Sequence, residues 1–161
     1  MAAKSAPVTP AVRILRQHGA AYSEHLFDYG RYPGAEGAAR FLGVDPHLTA
    51  KTIVFVTDGD AGVVVLMHGD LEVSVKKLAR AFGVRSIRQA TQREADRITG
   101  YKFGGTSPLG MRSNPQVYAQ PTLLDLDTVY VNAGSPGFLI GINPRTLLDL
   151  AEAMAVDVAV E

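Results

Sequence analysis

The sequence predicts a single α/β domain built around a twisted mixed sheet. A β-branched run, KTIVFVT at 51–57, is followed by an Asp-Gly-Asp turn and a second apolar run at 62–67, which is typical of a β-hairpin. Strand-like segments alternate along the chain with segments that begin and end in helix-capping residues. The 161 residues are 47% hydrophobic, so we expect one core and one domain over 1–161, with 1–8 as a flexible tail.

The first half of the chain predicts three helices and three strands. Thr9 is an N-cap followed directly by proline, which is a helix-start signal. Ser74 caps a later helix, on which Val75, Leu78 and Phe82 have the spacing of core positions. The predicted helices are 10–18, 36–42 and 74–82, and the predicted strands are 22–28, 51–57 and 62–67.

The second half predicts two further helices and three strands, around a glycine-rich loop. Thr91 with Glu94 three residues later forms a capping-box pattern, and Asn143 before a proline marks the start of the last helix. A glycine- and proline-containing turn at 133–137 joins the last two predicted strands. The predicted helices are 91–99 and 144–154, and the predicted strands are 86–89, 128–132 and 138–142, with an apolar segment at 116–119.

Composition excludes several classes of site. The chain has no cysteine, so it has neither disulfides nor a thiolate nucleophile, and this agrees with a cytoplasmic location. Its four histidines lack the spacing of metal motifs, and we expect no metal and no cofactor. No apolar run is long enough to cross a membrane.

Charge is distributed unevenly although the net charge is zero. Residues 76–112 carry nine cations against two carboxylates, so the rest of the chain carries the opposite excess. Such an asymmetry indicates an anionic partner, although solvated helix faces give the same count. The cations that we expect on the outer face of helix 74–82 and just after it are Lys76, Lys77, Arg80 and Arg85.

Two features are candidates for chemistry. The segment TGYKFGGTSPLG at 99–110 has four glycines, which let backbone N–H groups approach a polar carbonyl or a phosphate. Lys51 opens the most apolar strand, where a partly desolvated ammonium can hold an anion or stabilise developing negative charge. Ser107 has no histidine and aspartate partners nearby in sequence, so it is a weak candidate nucleophile. On pattern alone the loop also fits an ordinary turn, and Lys51 a solvated lysine.

Five segments in order resemble the YbaK/EbsC family, the bacterial Cys-tRNA(Pro) deacylases related to the editing domain of prolyl-tRNA synthetase. These segments are TPAVRIL, AKTIVFV, VKKLARAFG, TGYKFGGTSPLG and TVYVNAG, and the resemblance extends from about residue 9 to residue 150. The resemblance implies an α/β (α+β) domain with a mixed, curved, partly barrel-like sheet flanked by helices. It also implies trans-editing, in which the ester of a mischarged tRNA is cleaved.

The resemblance assigns roles to particular residues. Lys51 matches the functional lysine of the family and is expected to hold the terminal adenosine or the ester, and Gly104 is placed beside the ester carbonyl. Cleavage would use the thiol of the substrate as nucleophile, since cysteine is a good nucleophile at neutral pH and the enzyme then needs only positioning and oxyanion stabilisation. The expected substrate-binding residues are Gly105, Thr106, Ser107, Pro108, Phe27 and Asn132.

Three positions depart from the family pattern near the expected site. Phe27 stands where a tyrosine is frequent, Asn132 where a serine is frequent, and Leu139 where an acidic residue is frequent. They leave open a deacylase that uses bound water on alanyl, seryl or threonyl tRNA, an inactive tRNA-binding module, or a small-molecule esterase. The expected partners are misacylated tRNA(Pro) and prolyl-tRNA synthetase, and neither DNA nor a membrane is expected.

Overall fold

The computed structural model describes residues 5–161 and contains five α-helices and eight strands within them. The helices are α1 Pro10–Gln17, α2 Gly34–Leu42, α3 Val75–Phe82, α4 Gln92–Thr99 and α5 Pro144–Leu150. The strands are β1 Tyr22–Leu26, β2 Ala50–Thr57, β3 Gly62–His68, β4 Ile87–Gln89, β5 Gln116–Ala119, β6 Val129–Asn132, β7 Phe138–Ile142 and β8 Met154–Ala155. Most predicted elements are therefore confirmed to within two residues at each end.

The predicted β2–β3 hairpin is the centre of a five-stranded sheet. Its order is β4-β2-β3-β5-β8, with antiparallel pairing of β2 to β3 and β4 and parallel pairing of β5 to β3 and β8. Because strand side chains alternate between faces, this sheet buries apolar residues on both sides. Val54, Val56 and Leu66 belong to a core cluster with α1, β6 and β7, whereas Phe55 and Val65 belong to a second cluster under α3.

A three-stranded antiparallel sheet with the order β1-β7-β6 lies beside the first. Within residues 5–161, a single β-bridge, between Thr49 and Tyr130, joins the two sheets, and beyond it β2 and β6 have no ladder between them. The sheets therefore form the mixed, partly barrel-like layer that was predicted, without closing into a barrel. The gap between β2 and β6 is the feature that positions the site.

Local capping explains most helix boundaries. Thr9 and Ser74 accept backbone N–H groups as predicted, and Thr91 with Glu94 forms the complete capping box. Gly43 ends α2 in the left-handed conformation, with a φ of 69°, which is open to glycine at little cost.

Several element predictions are wrong in detail. The strand predicted at 22–28 ends at Leu26, and the last helix ends at Leu150 rather than 154, because the chain turns at Glu152 with a φ of 51°. The residues after this turn form β8, which sequence reasoning missed because its pairing with β5 is a long-range contact. Val75 was predicted in the core, but it lies at the first turn of α3 and is 45% exposed.

The predicted tail at 1–8 is only partly described, since residues 1–4 lie outside the described residues. Within the described part, Ala6 packs against the larger core cluster. The one-domain organisation stays a prediction. No helix among residues 5–161 combines the length and apolarity needed to cross a membrane.

Candidate active site

A cavity of about 310 Å³ occupies the gap between β2 and β6. This volume is at the lower end of the range for small-molecule sites. The floor is the first half of β2, α2 and α4 supply two walls, and the glycine-rich loop contributes the rim through Phe103, Gly104 and Thr106. Among the predicted site residues, the cavity is lined by Lys51, Gly104, Thr106, Phe27 and Asn132.

The outer edge of β2 is closed in its second half and open in its first. Strand β4 pairs with Phe55, Val56 and Thr57, and the amide of Ala90 donates to the carbonyl of Val54 at 2.8 Å. Before Val54 neither β4 nor β6 forms a ladder with this edge. Because the N–H and C=O of a residue point to the same side of an antiparallel strand and alternate along it, the backbone of Thr52 faces the same side as that of Val54.

Lys51 is held near the cavity without a strong counter-ion. Its side chain is 25% exposed, and Nζ lies 3.9 Å from Oε1 of Glu72, whose own side chain is 86% exposed. A solvent-screened pair at this separation contributes little free energy. The ammonium of Lys51 therefore keeps most of its capacity to bind an anionic group of a ligand.

The two central glycines of the loop have different roles. Gly104 has a φ of 87°, and a β-carbon there would lie 2.7 Å from the hydroxyl oxygen of Tyr29. The Gly104 amide has no hydrogen-bond acceptor within the part of the chain that the structure describes. In contrast, the Gly105 amide donates to the carbonyl of Lys102 at 3.0 Å, and a β-carbon at Gly105 would meet Pro136 at 2.6 Å. Gly104 is thus the glycine whose N–H is available to a ligand.

Three predicted substrate-binding residues lie outside the cavity lining. Gly105, Ser107 and Pro108 are buried against the protein itself, and Ser107 Oγ accepts the amide of Leu109 at 3.1 Å. They shape the loop that carries Gly104. Their effect on a ligand in the cavity is therefore through the loop backbone.

An aromatic cluster forms the wall next to α2. The ring of Phe27 stacks on Phe41 with centroids 5.1 Å apart and meets Tyr32 edge-on at 6.5 Å. Tyr29, two residues further along, also lines the cavity and approaches Gly104. Sequence reasoning missed Tyr29 because it lies after β1 ends, where strand alternation no longer predicts the direction of a side chain.

Two other lining residues were also missed. Phe103 is 65% exposed at the rim, which is unusual for an aromatic side chain. Thr52 has a buried hydroxyl with no hydrogen-bond partner among the described residues. The sequence signal for Phe103 was present, since an aromatic residue inside a glycine-rich loop has little core to pack against.

Comparison with known proteins identifies the family. The model of the aminoacyl-tRNA editing domain matches residues 32–150, which include β2, the glycine-rich loop, β6 and β7. The chain belongs to the aminoacyl-tRNA editing domain family. It is accordingly an enzyme of the aminoacyl-tRNA deacylase class, as the resemblance predicted.

Relatives of this editing domain cover both free-standing and synthetase-embedded proteins. It is 30% identical, over 96% of this chain and 95% of the relative, to an Enterococcus faecalis protein named "Putative Cys-tRNA(Pro)/Cys-tRNA(Cys) deacylase EbsC". It is 33% identical to the proline–tRNA ligase of Streptococcus mutans over 66% of this chain and 17% of the ligase. A solved structure described as "a putative trans-editing enzyme for prolyl tRNA synthetase" superposes with a TM-score of 0.84 at 26% identity, covering 98% and 100% of the two chains.

The predicted basic surface of the editing domain divides into two parts. Lys76, Arg80 and Arg85 line a shallow groove between α3 and β4, and none of the three lines the cavity. Lys77 instead binds the last residues of the chain, with Nζ 2.9 Å from the carbonyl of Ala159 and 3.3 Å from Oδ2 of Asp157. Lys77 was predicted to point away from the core, and its ammonium contacts the C-terminal segment, which folds back onto α3, so it is less accessible to a partner than Lys76 and Arg80.

Behind the cavity, the editing domain brings together two histidines and an aspartate. The rings of His47 and His68 stack with centroids 3.7 Å apart, and His47 Nδ1 lies 2.9 Å from Asp70. His68 is fully buried, donates from Nδ1 to the carbonyl of His47 at 2.7 Å, and has Nε2 2.7 Å from Thr122 Oγ1. Burial lowers the pKa of His68 below its usual value of 6.5. Both ring nitrogens of His68 are occupied by protein groups, so the cluster fastens the turn before β2 and fits no metal without rearrangement.

Proposed function

We propose that this editing domain cleaves the ester of Cys-tRNA(Pro) in trans, with the substrate thiol as nucleophile. The observation that carries the proposal is the chemistry of the cavity lining. The lining residues in the described chain include Lys51 and Asp96 but no histidine, cysteine or serine. A site built this way supplies positioning and electrostatic stabilisation, and the nucleophile comes from the substrate.

The proposed reaction has two steps. The cysteinyl sulfur attacks the ester carbonyl carbon, the bond to the 3′-terminal oxygen of the tRNA breaks, and that oxygen takes up the proton released by the thiol. The products are deacylated tRNA and a cyclic thiolactone, which water then hydrolyses to cysteine. The free amide of Gly104 is suited to the developing oxyanion, and the ammonium of Lys51 to the ester or the terminal adenosine.

The choice of cysteine and of tRNA(Pro) is supported by the relatives rather than by the cavity. A protein named "Putative Cys-tRNA(Pro)/Cys-tRNA(Cys) deacylase EbsC" and segments of proline–tRNA ligases are among the similar proteins. A synthetase pocket for a small amino acid discriminates poorly between residues of similar size, so a second site that removes the wrong one is needed. We propose prolyl-tRNA synthetase as the partner that selects the tRNA, with Lys76, Arg80 and Arg85 contacting acceptor-stem phosphates.

A side-by-side deacylation assay tests the proposal. Cys-tRNA(Pro), Ala-tRNA(Pro) and Ser-tRNA(Pro) are incubated with the wild-type protein, with Lys51→Ala and with Arg145→Ala, which removes an exposed cation outside the cavity. We expect rapid loss of cysteine only, a fall of about 100-fold in kcat/KM for Lys51→Ala, and wild-type rates for Arg145→Ala.

The alternatives predict different outcomes in the same assay. Faster loss of alanine or serine than of cysteine would mean that a bound water is the nucleophile. Binding of tRNA without loss of any amino acid would identify an inactive module. An unchanged rate in Lys51→Ala would remove Lys51 from the site.

A further inference from the structure

The gap between β2 and β6 presents two strand edges that no other strand of residues 5–161 covers. On β2, the carbonyl of Val54 points to the outer side, where it accepts from the amide of Ala90. Thr52 lies two residues earlier, so its backbone N–H and C=O point to the same side and face the gap. On β6, the amide of Ala133 donates to Phe138 of β7, so the backbone of Asn132 faces away from β7 and toward β2. Thr52 and Asn132 both line the cavity.

An unpaired strand edge is a template for another extended main chain. An α-amino acid in ester linkage has the same two groups as a strand residue, an amine that donates and a carbonyl that accepts. A fully extended residue places both groups on one side, and this matches the paired N–H and C=O of Thr52. The edge fits an aminoacyl group irrespective of its side chain.

We propose that Thr52 binds the aminoacyl group of the substrate through its backbone, as one strand residue binds another. Its amide donates to the ester carbonyl oxygen together with the amide of Gly104, and its carbonyl accepts from the substrate ammonium. Asn132 faces the same group from β6. This inference rests on the proposed function, since it concerns how the same cavity holds an aminoacyl ester.

The surroundings of Thr52 support a binding role for its backbone. Thr52 lies opposite Leu66 in the β2–β3 ladder, but at a position whose amide points away from β3, so a ligand can pair with that amide without disturbing the sheet. The lone hydroxyl of Thr52 is buried and unpartnered among residues 5–161, which costs free energy that a valine at this position would avoid.

Substitution by proline removes the proposed donor selectively. Proline is tolerated in a strand where its missing N–H faces away from the ladder, and residue 51, which precedes it, is already extended. Glu24→Pro is the matched control, because Glu24 lies on the edge strand β1, its amide faces away from β7, and it lies outside the cavity lining. We expect a fall of about 100-fold in kcat for Thr52→Pro on Cys-tRNA(Pro) and a wild-type kcat for Glu24→Pro.

Amide exchange provides a measurement that does not depend on turnover. The probe is adenosine whose 3′ oxygen is replaced by NH and which carries a cysteinyl group in amide linkage. We expect it to shift the Thr52 amide resonance of the wild-type protein downfield and to slow its hydrogen exchange at least tenfold. Thr52→Val, which keeps the amide, should show the same protection at position 52.

The outcomes separate this inference from the proposed function. If the probe shifts Gly104 and Lys51 but leaves the Thr52 amide unprotected, the edge does not bind the aminoacyl group and only this inference is wrong. If the probe perturbs no cavity residue, the proposed function fails and the inference fails with it. A Thr52→Pro protein that is folded by circular dichroism and fully active would also overturn the inference.

Discussion

The two halves of β2 differ in what borders their outer edge, and only the first half carries a charged side chain, Lys51. From Phe55 to Thr57 the outer edge is closed by β4, and the strand belongs to the core. From Ala50 to Ile53 the outer edge faces the cavity. One strand can therefore contribute both to the core and to a binding site, depending on where the neighbouring strand ends.

The largest expected effect on activity comes from changing the glycine-rich loop at the rim of the cavity, which borders the first half of β2. Gly104→Ala places a β-carbon against Tyr29 and strains a φ of 87°, so the loop amide must move. We expect kcat for deacylation to fall about 100-fold, the scale of losing one oxyanion donor. Gly83→Ala is the control, because Gly83 has a similar φ of 78° but nothing within 4 Å of its β-carbon position. Equal loss of activity in both variants would contradict the assignment of Gly104.

Two substitutions that exchange valine and threonine between the halves of β2 test whether their surroundings differ, through the free energy of unfolding. Val56→Thr puts a hydroxyl into the closed half at a position that is 1% exposed, which should lower the free energy of unfolding by about 1–3 kcal/mol. Thr52→Val removes an unpartnered hydroxyl from the open half and should raise it by about 1 kcal/mol. Urea unfolding measures both. A destabilised Thr52→Val protein would show that the hydroxyl has a partner that the structure lacks.

A smaller effect is expected at the rim of the open half. Phe103 is 65% exposed beside Gly104 at the rim of the cavity, and aromatic side chains stack on nucleic-acid bases, so the proposed function predicts a contact with the terminal base of the tRNA. Phe103→Ala should raise KM about tenfold with little change in kcat. Met154→Ala is the control, since Met154 is 55% exposed on β8, at the far edge of the five-stranded sheet. A matching rise in KM for Met154→Ala would mean that the effect is not local.

The smallest expected effect is on the pH dependence of stability, and it concerns His68, which holds the turn before β2 through the carbonyl of His47. The pKa of His68 is lowered in the folded state, mainly by burial, while the unfolded chain has the usual value of 6.5. The unfolded state therefore binds more protons as pH falls through 6.5, and stability that is present above pH 6.5 is lost progressively below it. We expect the urea midpoint to fall between pH 8 and pH 5.5, and the fall to be shallower in His68→Asn. His47, Asp70 and Asp125 surround His68 and remain in both proteins. An equal slope would show that the pH dependence of stability does not come from His68.

The features that could be predicted from the sequence are those determined by residues close together along the chain. The β2–β3 hairpin, the caps at Thr9 and Ser74 and the capping box at Thr91 follow from residues a few positions apart, and all are confirmed. The residue pattern singled out Lys51 and the glycine-rich loop, and the resemblance to editing domains supplied the roles of Lys51 and Gly104, which remain predictions.

What the sequence did not predict depends on contacts between distant segments. The stack of His47 on His68, the approach of Tyr29 to Gly104 and the binding of Lys77 by the C-terminal segment have no local pattern. The open edge at Thr52 also has no local sequence pattern, because it depends on the residue of β2 at which the pairing with β4 ends.

The pairing of β1 with β7 has a consequence for the order in which the chain can fold during synthesis. Tyr22 pairs with Ile142, 120 positions later, and β6 is held at the cavity through β7. A nascent chain that has produced Lys51 and Gly104 but not Ile142 lacks the partner of its own first strand. The strand pairing that places β6 at the cavity is therefore completed only after the segment that contains Ile142 has been synthesised.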